Sequence, residues 1–73
     1  MKENTYMKAY KVQIYDLVDA TDILNYSGNY GSEWSRVVEV IKQDDVWAIL
    51  IVELKNVSPF IQNKWEERCI FHK

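Results

Sequence analysis

Two residues near the end of the chain have the types that hold metals or attack carbonyl carbons. Cys69 and His72 form a Cys-x₂-His spacing, with Glu66 and Glu67 close by. A structural zinc site needs four ligands, and this chain offers one Cys and one His. Two copies would be needed to assemble a full set. As a Cys–His nucleophile pair the two would share a face on a helix and point apart on a strand. No third residue reads as the group that orients such a pair. The simpler reading is a small buried thiol beside a solvated imidazole.

The acidic groupings are Asp16/Asp19/Asp22, Asp44-Asp45 and Glu66-Glu67. A calcium loop takes ligands at alternate positions and ends on a bidentate Glu, and the first grouping has neither feature. Asp44-Asp45 reads as a turn, and Glu66-Glu67 as a solvated face beside Lys64 and Arg68. The segment Gly28-Asn29-Tyr30-Gly31-Ser32 before a helix start would suit an anion. It lacks the Lys of a phosphate loop, however, and Glu33 would repel the ligand. These readings imply no catalytic residue, no metal ligand and no cofactor.

The feature that stands out is aromatic. Tyr26, Tyr30 and Trp34 are set among Asn25, Ser27, Gly28, Asn29, Gly31 and Ser32. Tyr with Ser, Gly and Asn is the mixture of binding loops: a large rigid contact area, with small residues adapting around it. Trp and Tyr are also the types that dominate interface energetics. Tyr26, Asn29, Tyr30 and Trp34 are therefore the candidate partner-binding residues. The competing reading makes Trp34 a core residue and lays the tyrosines over a sheet.

The elements that must position this loop are fewer and less regular. Residues 8–18 alternate Tyr10, Val12 and Ile14 with Lys11, Gln13 and Tyr15, the period of a strand with one buried face. Residues 19–31 are rich in turn formers, with Ile23 and Leu24 tucked in, on a helical turn begun by Thr21 or Asp22. In residues 32–43, Trp34, Val37, Val38 and Ile41 recur at helical spacing behind Ser32 as N-cap. That favours a helix, although four β-branched residues oppose it. The alternative is a hairpin from Arg36 through Asp44-Asp45. Residues 46–55 are continuously apolar at first and predict a central strand covered on both faces. Ser58-Pro59 opens a short helix over residues 59–64; beyond it the alternation from Trp65 favours a last strand, with a continued helix as the alternative.

The expectation is one α+β domain over residues 6–73 after a loose N-terminus at residues 1–5. Its pattern is β-α-β-short helix-β, a small three-stranded sheet under one main helix. The alternative is a small all-β barrel containing a 36–54 hairpin. A three-stranded sheet with one helix leaves a face open, so two-face burial of the central strand calls for a homodimer.

Bulk properties narrow the function classes. The chain has 73 residues, 48% apolar and 27% charged, with five Tyr, three Trp and two Phe. That is a folding composition, but a core of this size is marginal without a disulfide, a metal or a partner. One Cys excludes an internal disulfide. No apolar run follows Met1-Lys2-Glu3-Asn4 as in a signal peptide, and none approaches membrane-spanning length. A reducing, cytoplasmic setting is the expectation. The net charge of −2 is spread along the chain without a basic patch, which argues against a nucleic-acid binder. The reading is a small non-catalytic protein that binds and modulates, or inhibits, a larger protein. A short acidic chain of this kind fits an accessory factor such as a phage or mobile element carries. The alternative is a single-stranded nucleic-acid module that stacks bases on the Tyr/Trp loop.

Overall fold

The computed structural model describes residues 5–68 and 71–72. Its elements in chain order are β1 (Thr5–Gln13), α1 (Leu17–Leu24), β2 (Ser27–Gly28), β3 (Glu33–Lys42), β4 (Trp47–Lys55), α2 (Pro59–Arg68) and β5 (Phe71–His72). The strands form one open antiparallel sheet in the order β2-β3-β4-β1-β5. The class is mixed α+β, with five strands and two helices rather than three strands and one main helix. The sheet does not close into a barrel.

β4 is the central strand, as its composition demands. Its residues alternate strictly between buried and half-buried, so one face is fully covered and the other only in part. The full two-face burial expected of residues 46–55 is not reached among the described residues. On the covered face, Leu50 pairs with Tyr10 and Ala48 with Val12. These four, with Val52 and Leu54, are buried. α1 adds Ala20 and Leu24 to this core, and α2 adds Trp65. The Trp65 ring meets Tyr10 edge-on at 6.0 Å, the arrangement the ring quadrupoles favour. Buried Gln62 is fully engaged. Its Nε2 donates to Tyr6 Oη at 2.8 Å and to the Val57 carbonyl at 2.9 Å, and its Oε1 accepts from Lys8 Nζ at 2.8 Å.

Three segments depart from the sequence expectation. The helix expected over residues 32–43 is β3, paired with β4 in the hairpin that was the alternative. A β-bulge between Val37 and Glu39 explains the helical-looking spacing. One extra residue shifts the in–out phase, so apolar positions no longer alternate from end to end. Second, the helix of the N-terminal half is α1, which starts four residues before the helical turn expected from Thr21 or Asp22 and takes in residues expected as strand. Leu17, Ala20 and Leu24 give it a core-facing strip, hidden in the sequence among Asp19, Thr21 and Asp22. β1 correspondingly stops at Gln13. Third, α2 runs to Arg68, the continued helix that was the alternative to a strand from Trp65, and β5 covers only Phe71–His72.

Asn25 joins α1 to β3. Its backbone N–H and its Nδ2 both donate to the Thr21 carbonyl, closing the helix. Its Oδ1 accepts the Val37 N–H at 3.0 Å. Ser35, buried below α1, donates from Oγ to the Leu24 carbonyl. The C-terminal end of α1 is thereby fixed against the first half of β3.

Candidate partner-binding site

The four expected binding residues stand on the same hairpin but do not share a face. Tyr26 exchanges both backbone hydrogen bonds with Ser35, at 3.0 and 2.9 Å. Paired residues in an antiparallel ladder share a face, so Tyr26 lies on the covered side. Its ring packs edge-on against Trp65, with centroids 6.2 Å apart. Gly28 makes room for it: a Cβ there would fall 2.5 Å from the Tyr26 hydroxyl.

Trp34 lies across from Lys55 and Ser27, one position out of phase with Ser35. It therefore faces the open side of the sheet, half-buried, with the Arg36 guanidinium 5.8 Å from its ring centroid. Tyr30 is fully exposed at the tip between β2 and β3. Its backbone is left-handed, φ 58° and ψ 31°, a region that aromatic residues seldom adopt. Gly31 follows at φ 86°, where only glycine is unstrained. Asn29 precedes Tyr30 at the same tip. The tip is tied down next to it, where Asn56 Nδ2 donates to the Ser32 carbonyl at 3.1 Å.

The sequence reading missed the rest of the open face. Lys11 sits over the Trp47 ring at 5.1 Å. Arg36 also reaches Glu53, with Nη2 at 3.0 Å and Nε at 3.1 Å from Oε1. Ile49 and Ile51 stand between Trp47 and Glu53 on the same face of β4, half-buried. The only available signal was the pairing of strands, which fixes who stands beside whom, and one sequence does not reveal it.

Among the described residues, two groups depart from their ordinary acidity. Burial pushes the Tyr10 phenol up to about 12, with the charges of Glu66 and Tyr6 adding to it. The Asp44 carboxyl is held below the usual range because its Oδ1 accepts the N–H groups of Val46 and Trp47, each at 2.8 Å. This closes the β3–β4 turn.

Among the described residues, no three His, Cys, Asp or Glu gather as metal ligands would. Cys69 lies outside the described residues, so the Cys69/His72 pairing is not placed. No described helix is long and apolar enough to cross a membrane. Compared with protein-family models, with curated proteins and with solved structures, the chain matches none.

Proposed function

We propose that this chain is a small non-catalytic binding module, acting in the cytoplasm as a homodimer, that docks on a larger protein and modulates it. The observation that carries the reading is Tyr30. A fully exposed aromatic ring is held at a loop tip on left-handed backbone. That conformation costs a residue with a Cβ roughly 1–2 kcal/mol, and strain of this kind is found where presentation matters more than stability. Trp34, on the strand that leaves the tip, extends the contact over the open face. Tyr26 acts from below by holding the hairpin to the core.

The test is capture from a lysate of the native host with tagged protein, after nuclease treatment. Tyr30→Gly is the informative variant, because glycine relieves the backbone while deleting the ring. It is expected to be as stable as the wild type or about 1 kcal/mol more stable, yet to lose a stoichiometric protein partner. Retention of that partner by Tyr30→Gly and by Trp34→Ala would refute the site. Tyr26→Ala is uninformative, since it removes a ring packed on Trp65.

One observation favours a second reading. Trp34 and Trp47 both carry a cation against the ring on the open face, and aromatic platforms with adjacent cations bind single-stranded nucleic acid. Titrating a single-stranded oligonucleotide at rising salt decides it: stacking with phosphate contacts predicts Trp quenching and a steep loss of affinity with salt.

A further inference from the structure

The outer edge of β3 is used over half its length. Ser35 bonds Tyr26, Val37 bonds Asn25, and β2 pairs only with Glu33 and Trp34. Beyond the bulge, no described element pairs the outer side of residues 38–42. All five are exposed, and Val38, Val40 and Ile41 are 43%, 45% and 42% exposed. Open edges of this kind invite another strand.

We propose that this edge pairs with the same edge of a second copy, making one continuous sheet about a two-fold axis through Val40. The proposal rests on the homodimer reading above and specifies its interface. Three features of the chain fit a second copy.

The first is hydrogen-bond phase. Ser35 and Val37, opposite Leu54 and Val52, turn their backbone groups outward. Alternation along β4 then makes Val40 and Lys42, opposite Leu50 and Ala48, the next outward pair. Val40 can therefore exchange both bonds with its own copy.

The second is register. A two-fold axis normal to the sheet sets residues of the same face opposite each other, so it must pass through a residue. An axis at Glu39 would set Glu39 against itself and Arg36 against Lys42. An axis at Val40 sets Val40 against Val40, Val38 against Lys42 and Glu39 against Ile41, with no like charges directly opposed.

The third is charge complementarity. Asn25, at the C-terminal end of α1, accepts the Val37 N–H and so ties that end of the helix to the edge. A second β3 along the edge would lie beside the C-terminal end of α1, where Leu24 and Asn25 meet Ser35 and Val37. Its Lys42 would come opposite Val38, near the C-terminal half of α1. That helix carries Asp19 and Asp22 and no basic residue.

Sedimentation across a concentration series tests this. The wild type is expected to shift from one to two chain masses as concentration rises. Val40→Pro removes an N–H that β4 does not use, so it should keep the wild-type circular dichroism and stay at one chain mass. Lys42→Glu and Asp22→Lys should each weaken the dimer by about tenfold, and the double variant should recover much of the loss. The charge variants also decide the matter if Val40→Pro fails to fold. A dimer unmoved by all of them overturns the edge and leaves the homodimer reading intact. A wild type that is monomeric at every concentration overturns both, leaving the edge to an extended segment of a different protein.

Discussion

Val40 and Leu50 stand opposite each other on one rung of the sheet and point to the same face. Leu50 is fully buried, while Val40 is 45% exposed. The contrast extends along β3. Its first half is roofed by α1 and edged by Tyr26 and Asn25. Its second half is held by β4 on one side and otherwise meets water. Pairing alone therefore suffices to make a strand here, while burial is concentrated where the helices lie. The first half of β3 stabilises the fold, and the second half is surface kept in strand geometry.

Truncating the rung from either side is the strongest way to break this contrast. Leu50→Ala should cost about 2–5 kcal/mol, the usual range for a buried Leu. Val40→Ala should cost under about 1 kcal/mol in dilute solution, where copies do not meet. Urea unfolding at low concentration measures both. Equal losses would show that the second half of β3 is core after all.

A smaller effect sharpens the same contrast through pH. The folded-state pKa of Asp44 is lowered by the Val46 and Trp47 N–H groups. Its contribution is therefore present above its ordinary pKa and is lost as pH falls through the depressed folded value. Acid should loosen the β3–β4 turn first, below about pH 4. In Asp44→Ala that acid-sensitive step should be missing, while the Leu50 side of the sheet responds as in the wild type. Amide shifts of Val46 and Trp47 along a pH series would report it.

Part of the sheet was readable in the sequence, though not which faces it buries. The run Val46-Trp47-Ala48-Ile49-Leu50-Ile51-Val52 is rich in β-branched and aromatic residues that favour strands, and Tyr10 and Val12 in β1 alternate with Lys11 and Gln13. Ser58-Pro59 likewise marked the start of α2. The helix expected over residues 32–43 failed because a bulge after Val37 imitates a helical period, although the β-branched residues already argued for strand. α1 was obscured because Asp19, Thr21 and Asp22, good turn residues, occupy its solvent side. Of the site, the exposure of Tyr30 was readable from its Gly and Asn neighbours. The separation of Tyr26 from Trp34 onto opposite faces was not, because it depends on β3 being a strand. Lys11 beside Trp47 depends in turn on β1 lying next to β4.

The most direct test of the division within β3 is amide hydrogen exchange, followed residue by residue at low and at high protein concentration. The outward amides of Ser35 and Val37 should be protected at both concentrations, because Tyr26 and Asn25 hold them. Those of Val40 and Lys42 should exchange fast when dilute and become protected as copies pair. Protection of Val40 at the level of Ser35 in dilute solution, or its fast exchange at every concentration, would contradict this account.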